Sequence, residues 1–214
     1  MSEYIQRLED LLSDVEKKRA KEIRNLFNAA TERSELDPLT HLPRRKGVRD
    51  AFDRTKKIAE RYNNPLAIAL IDVDNFKKVN DGEGYRNHTG HKAGDLLAQD
   101  TASLLKNILR PGDFIGKWGG DEFVALLPLV YDDQLVKLQP PECALAVAER
   151  IRQRMKTQTG KTVSIGISVF PYTPLSADLD LRIQHADLAM YAAKQQGRDR
   201  CVIYTPELES LKRA

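Results

Sequence analysis

Apolar positions along the chain change period from one segment to the next. Ile5, Leu8, Leu12 and Val15 recur at alternating spacings of three and four, the seam of a coiled coil. The stripe meets Arg19 and Glu22, then resumes out of phase at Ile23, Leu26 and Phe27, a shift that locally unwinds or overwinds a coiled coil. Residues 2–33 hold neither Pro nor Gly, and acids alternate densely with bases. This mixture of signs argues against a basic membrane-surface helix. The segment is expected to be a parallel helix pairing with a second copy of itself; a solvated helix packed on its own domain is the alternative.

Helical and strand patterns alternate from Asp37 onward, which predicts an α/β domain. Val48, Phe52, Thr55, Ala59 and Tyr62 have helical spacing, and Pro65 then opens the run Leu66–Val73, typical of a strand buried on both faces. Helical spacing returns at Leu97, Thr101, Leu104, Leu105 and Ile108 and stops at Pro111-Gly112. Phe114–Trp118 and Phe123–Leu127 flank Gly119-Gly120 and read as a hairpin. A helix is expected over about Cys143–Met155, then a strand over Val163–Val169 with one buried face. Another helix, about Ala177–Gln196, is expected to end at Gly197 as a left-handed stop, before a short strand, Cys201–Tyr204. Asp81–Thr89 and Tyr131–Glu142 read as surface excursions. The chain thus divides into an N-terminal helix, residues 1–35, and a globular domain, residues 36–214.

Composition narrows the class. The 214 residues are 41% hydrophobic and 30% charged, enough apolar surface to fold. No run approaches the ~18 apolar residues of a membrane span, and the polar start is no secretory signal. With 34 bases against 31 acids, the net charge of +3 gives no case for a nucleic-acid partner. Two cysteines, Cys143 and Cys201, make no disulfide framework, so a reducing compartment, the cytoplasm, is expected. His88, His91 and His185 show no metal-ligand spacing with cysteine.

The chemistry concentrates at Asp72, ending the buried strand, and Asp121, directly after the glycine pair. A carboxylate at the end of an apolar strand is costly unless paired or holding a metal. Asp74 and Glu122 add negative charge beside them. Acids, a divalent cation such as Mg²⁺ and a glycine turn open to phosphates suit nucleotidyl transfer better than hydrolysis by a nucleophilic side chain. Ordinary strand-end aspartates are the alternative. Lys194 and Arg198, four apart at the end of the last helix, could clamp a triphosphate or simply complement the helix C-terminus.

Six ordered blocks carry a family resemblance: Asp37-Pro-Leu-Thr-His-Leu-Pro-Arg-Arg, Asp72-Val-Asp-Asn-Phe-Lys-Lys-Val-Asn-Asp81, Gly90-His-Lys-Ala-Gly-Asp95, Trp118-Gly-Gly-Asp-Glu-Phe123, Val163-Ser-Ile-Gly166 and Ala186-Asp-Leu-Ala-Met-Tyr-Ala-Ala-Lys194-Gln-Gln-Gly-Arg198. Over roughly residues 36–204 the chain resembles the GGDEF-domain diguanylate cyclases. The resemblance implies a fold close to the palm of polymerases and adenylate cyclases, with antiparallel strands centred on a metal site and helices around them. It implies condensation of two GTP into cyclic di-GMP and two pyrophosphates, each copy of a homodimer holding one GTP.

By motif position, Asp72, the Val73 carbonyl and Asp121 would hold Mg²⁺, with Mn²⁺ as an alternative. Glu122 would sit beside the attacking 3′-hydroxyl as metal support or base, with the proton-accepting acid left open. Asn80 and Asp95 would read the guanine edge, Phe76 and Lys77 would pack against and charge-stabilise the nucleotide, and Gly119 and Gly120 would leave room for phosphates. Lys194 and Arg198 match a triphosphate-contacting pair. Arg110-Pro-Gly-Asp113 matches an RxxD inhibitory site for the product, with Arg150 as a further guanidinium. The N-terminal coiled coil would raise the effective concentration of half-sites, and an upstream sensor domain is a plausible partner.

The chain departs from the family in places. His41 and Arg44 replace the Gly and Asn often found in the first block, Ala98 stands where a larger apolar residue often lines the base pocket, and Lys117 replaces a common Arg. Eight residues, Gly82–Thr89, stand where the family usually has two, so the guanine loop is remodelled. A degenerate domain that binds GTP or cyclic di-GMP without turnover, an enzyme making a mixed guanine–adenine product and a purely structural dimerisation module are the competing readings.

Overall fold

The apolar run Leu66–Val73 is strand β1, and all eight of its residues are buried. The computed structural model describes residues 36–62, 64–129, 139–170 and 178–213, all within one unit, Leu36–Ala214. The coiled-coil expectation for residues 1–35 falls outside the described residues. The loop expected over 131–142 is described only from residue 139, where Gln139 and Glu142 form a reciprocal cap on a helix.

β1 lies in the middle of a five-stranded sheet ordered β2-β3-β1-β4-β5. The other strands are β2 Phe114–Lys117, β3 Glu122–Pro128, β4 Val163–Phe170 and β5 Arg200–Ile203. Four helices flank it: α1 Arg45–Tyr62, α2 Gly90–Ile108, α3 Pro140–Thr159 and α4 Leu179–Gln195. β1 pairs antiparallel with β3 and β4, and β2 pairs antiparallel with β3, as the hairpin reading required. The expectation of antiparallel strands is corrected at one edge. β5 runs parallel to β4, because α4 between them is a crossover that returns the chain to the same end of the sheet.

Alternation along β1 divides the core in two. Ala67, Ala69, Ile71 and Val73 join Leu97 and Leu105 of α2 and Ala148 and Ile151 of α3. Leu66, Ile68 and Leu70 join Val48 and Phe52 of α1 and Ala186 and Met190 of α4. Each fully buried Leu or Ile contributes roughly 1.5–3 kcal/mol. By the same period of two, Asp72 falls on the α1/α4 side.

The reading of β4 as half-exposed is wrong. Its alternating residues Ser164, Gly166 and Ser168 are small rather than outward-facing, and both faces are buried. A Cβ on Gly166 would stand 1.9 Å from the Ala186 carbonyl oxygen and 2.2 Å from the Met190 nitrogen, so the missing side chain is what lets α4 lie on the sheet. After α4, Gly197 has φ 110°, and Arg198 and Asp199 also take positive φ, 62° and 46°. The stop is therefore a three-residue left-handed turn rather than one glycine. Its non-glycine members are held by an Asp199 N–H bond to Asp74 Oδ2 at 3.1 Å and by Asp199 ion pairs to Arg152 and Lys156, both at 2.7 Å.

Candidate active site

The end of β1 and the β2–β3 turn meet in register. Asp72 stands opposite Glu122 across the β1–β3 pair, where cross-strand side chains lie close and like charges repel. The Val73 N–H donates to the Asp121 carbonyl at 3.4 Å, while the N–H groups of Trp118 and Gly119 donate to the Glu122 carbonyl at 3.0 and 3.3 Å. A Cβ on Gly119 would stand 2.5 Å from Glu122 Oε2. Gly119 thus makes room for a carboxylate of its own turn, whereas Gly120 is exposed and faces open space.

One cation answers this concentration of acid directly. Lys194, in the last turn of α4, places Nζ 2.8 Å from Asp72 Oδ2. Burial drives the Asp72 carboxyl up, Lys194 pulls it back, and Asp121 and Glu122 raise it again, leaving it at about 6. Burial and then Asp121 also raise Glu122, against Lys194. Arg198, which the sequence paired with Lys194, is exposed beyond the helix end.

Asp74, grouped by the sequence with the charged site, does other work. Its carboxylate accepts from Thr162 Oγ1 and Ser164 Oγ at 2.7 Å each and from the Asp199 N–H at 3.1 Å. It clasps β1, β4 and the turn after α4 together. The acids left for a cation are Asp72 and Asp121, with the Val73 carbonyl beside them. Among the described residues no three His, Cys, Asp or Glu side chains form a metal-holding group. Two carboxylates and a main-chain oxygen nonetheless suit Mg²⁺, a hard ion that takes few protein ligands and keeps waters and phosphates. Lys194 offsets only part of the negative charge that Asp72, Asp121 and Glu122 bring together, which leaves a divalent cation a role there.

The residues expected to read a base follow β1. Phe76 is half-buried against the core and Lys77 is exposed. Asn80 is half-buried, and a Cβ on Gly94 would stand 2.0 Å from its Oδ1. The carboxamide therefore lies directly on the α2 backbone, one residue from the exposed Asp95. Ala98, in the next turn of α2, is buried. The Gly82–Thr89 segment is not the simple surface excursion expected. Tyr85 is 7% exposed and belongs to the core, and its N–H and C=O exchange hydrogen bonds with His88 at 2.8 and 2.9 Å. Arg86 and Asn87 between them have φ 48° and 64°, the tight two-residue turn of a hairpin.

Arg110 and Asp113 close on each other where α2 ends. Arg110 Nε bonds Asp113 Oδ1 at 3.0 Å, its N–H reaches Oδ2 at 3.1 Å, and its guanidinium donates to the Pro128 carbonyl. The Asp113 side chain is 2% exposed. Arg150 of α3 donates to the Ile108 carbonyl at 3.1 Å, so the structure brings all three residues to this corner.

Some neighbours of the site escaped the sequence reading. Arg45, opening α1, bonds the Trp118 carbonyl at 2.7 Å and lies 5.0 Å from the Trp118 ring centre. No spacing signal links residues 73 apart. Lys117 is buried with Nζ 3.8 Å from the Phe123 ring centre and no hydrogen-bond partner among the described residues. Burial lowers its pKa, while Asp37, Asp121 and Glu122 push it back up. Gly94 falls within the Gly90–Asp95 block, but only the structure shows that its missing side chain seats Asn80.

This arrangement, a palm-like sheet with acids at the end of its middle strand, has relatives. Residues 34–200 match the family model described as diguanylate cyclase, GGDEF domain. The chain is 34% identical over 173 residues to diguanylate cyclase DgcZ of Escherichia coli (strain K12), covering 80% of this chain and 54% of DgcZ. It is 32% identical over 182 residues to diguanylate cyclase DosC of the same organism, covering 81% of this chain and 36% of DosC. The chain thus spans about half the length of DgcZ and about a third of DosC. The crystal structure of the GGDEF domain of DgcB from Caulobacter crescentus in complex with c-di-GMP superposes with a TM-score of 0.64 at 26% identity, covering 79% of this chain and 95% of that one. The chain belongs to the GGDEF diguanylate cyclase family.

Proposed function

We propose that this chain condenses two GTP into cyclic di-GMP and two pyrophosphates. The observation that carries the reading is the gathering of Asp72, Asp121 and Glu122 at one end of the sheet, with Lys194 already 2.8 Å from Asp72. Family membership and the c-di-GMP complex of DgcB support the choice of product.

Mg²⁺, with Mn²⁺ as the alternative, would be held by Asp72, the Val73 carbonyl and Asp121, where it would supply charge neutralisation to the triphosphate. Asn80 and Asp95 orient guanine, the carboxylate accepting from the ring N1–H and the exocyclic 2-amino group, donors that adenine lacks. Phe76 packs beside the nucleotide, Lys77 adds charge, and Gly120, facing open space at the tip of the turn, admits phosphates while Gly119 accommodates Glu122. The 3′-oxygen of one GTP bonds to the α-phosphorus of the other, and the bond from that phosphorus to the β-phosphate oxygen breaks. Pyrophosphate leaves with the electron pair, its charge met by Lys194 and Arg198. Glu122 takes the hydroxyl proton; its raised pKa makes it a better acceptor than an ordinary carboxylate.

Each chain supplies half of the reaction, so a homodimer is required, and the coiled coil expected over residues 1–35 raises the effective concentration of half-sites. Cyclic di-GMP binding at Arg110, Asp113 and Arg150 would hold the halves apart. Incubation with GTP, ATP and Mg²⁺ followed by chromatography of the products tests the reading. Cyclic di-GMP is the expected product. GTP binding with no dinucleotide formed refutes the catalytic assignment, and a mixed guanine–adenine dinucleotide refutes the base specificity.

A further inference from the structure

The Gly82–Thr89 segment, longer than the family's usual connection, lies between the two residues assigned to guanine, yet its anchors make it a strut. Tyr85 is sunk in the core and its hydroxyl donates to Asp100 Oδ2 at 2.8 Å. Arg86 Nε reaches the same carboxylate at 3.1 Å and its guanidinium lies 5.6 Å from the Tyr85 ring centre. On the near side, Lys161, just before β4, holds Glu83 at 2.6 Å. Arg86 keeps a left-handed backbone that a long side chain seldom adopts without compensation, and its contacts to Asp100 and Tyr85 provide it.

Asp100 lies on α2, five residues beyond Asp95. The strut therefore ties the segment that follows Asn80 to the helix that carries Asp95. At its other end, Asn80 Oδ1 rests where a Gly94 side chain would be. The hairpin thus joins the two elements that carry the base-reading pair, at a second point besides the seat of Asn80 on Gly94.

We infer that the Tyr85–Asp100 bond is a positioning and specificity-determining contact for the purine base, fixing the separation of Asn80 and Asp95. The inference rests on the assignment of those two residues to guanine in the proposed function. Tyr85 touches no nucleotide; it acts through the hairpin and α2. Loosening the strut weakens contacts to the base edge and spares the phosphate-side chemistry.

The test uses the full chain and two variants, Tyr85→Phe and Asp100→Asn, with Asp95→Asn as a control. Equilibrium binding is measured for non-hydrolysable GTP and inosine triphosphate analogues, the latter lacking the 2-amino group, alongside KM and kcat for GTP and the melting temperature. Tyr85→Phe is expected to weaken GTP binding and raise KM by about fivefold, the weight of one hydrogen bond. It should leave kcat within about twofold and narrow the preference for GTP over the inosine analogue. Asp100→Asn, which keeps an acceptor for the phenol but loses the charge on Arg86, should shift both in the same direction by less. If Asp95→Asn loses GTP binding while both strut variants keep wild-type affinity and preference, the positioning role is wrong. It is equally wrong if the strut variants lose KM and kcat together in step with lowered stability at an unchanged preference. If Asp95→Asn itself binds GTP normally, it is the base-site assignment that fails.

Discussion

Lys194 Nζ stands 2.8 Å from Asp72 Oδ2, joining the last turn of α4 to the end of the central strand. Removing the lysine leaves a buried carboxylate among other acids. Lys194→Met is expected to destabilise the metal-free chain by about 1–3 kcal/mol at pH 7.5, below the usual cost of breaking a buried pair because the lysine is partly exposed. Urea unfolding at pH 5 and pH 7.5 checks this: the loss should shrink at pH 5, where Asp72 takes up a proton. Turnover should fall about a hundredfold. Equal losses at both pH values would disconnect the lysine from Asp72.

The pH dependence of stability has a defined sign. Asp72 titrates at about 6 in the folded chain, above its ordinary 3.8, and Glu122 is shifted the same way. The folded state therefore binds more protons than the unfolded one between about pH 4 and 6, and stability declines as pH rises through that window. Asp37 and Asp199 are held below their ordinary values and act in the opposite sense, but at more acidic pH. Asp72→Asn should remove most of the decline. Mg²⁺ at a hundred times its Kd should add about 2.7 kcal/mol at pH 7.5 to the wild type and little to Asp72→Asn. A wild-type profile flat from pH 4 to 6 would refute the raised Asp72 carboxyl, and equal Mg²⁺ stabilisation of both proteins would remove Asp72 from the ion's ligands.

Gly94→Ala tests the seating of Asn80. The new methyl would stand 2.0 Å from Oδ1 and 2.9 Å from Cγ of the carboxamide, which must swing away. GTP binding should weaken about tenfold, with a stability cost of roughly 1–3 kcal/mol from overpacking. Calorimetric titration with a non-hydrolysable GTP analogue distinguishes the two effects, and unchanged affinity in a folded variant would dismiss Asn80 as a base contact.

At the other corner, Arg110→Ala is expected to relieve inhibition by cyclic di-GMP while leaving KM for GTP unchanged. Arg110 is engaged by Asp113 and Pro128, so a ligand there shares or competes for the guanidinium with them. Initial rates with and without added product give the answer; undiminished inhibition would relocate the inhibitory site.

Much of the sheet was legible because β1 is apolar but for Asp72 and the Gly119-Gly120 pair marks the β2–β3 turn. The acid pair could be found because Asp72 and Asp121 sit at strand ends where a carboxylate has no apolar reason to be. What stayed hidden depended on residues that matter by being small. Ser164, Gly166 and Ser168 imitate the alternation of a half-exposed strand, but their size admits α4. Gly94 gives no sign that Asn80 will rest on it. The Gly82–Thr89 segment looks polar and solvent-bound because its one core residue, Tyr85, is isolated between turn formers. Asp74 looks like part of the charged site, and only its partners, Thr162, Ser164 and Asp199, identify it as a clasp.

β3 separates the acid cluster from the Arg110 corner. Glu122 opens it beside the acid cluster, and Pro128, whose carbonyl takes the Arg110 guanidinium, closes it. Six residue steps of extended chain come to about 20 Å. A molecule lodged at the Arg110 corner would lie out of reach of the acids and could act on them only indirectly. Under the proposed function, obstruction of an approaching second domain would meet that demand without any movement of the strand between them.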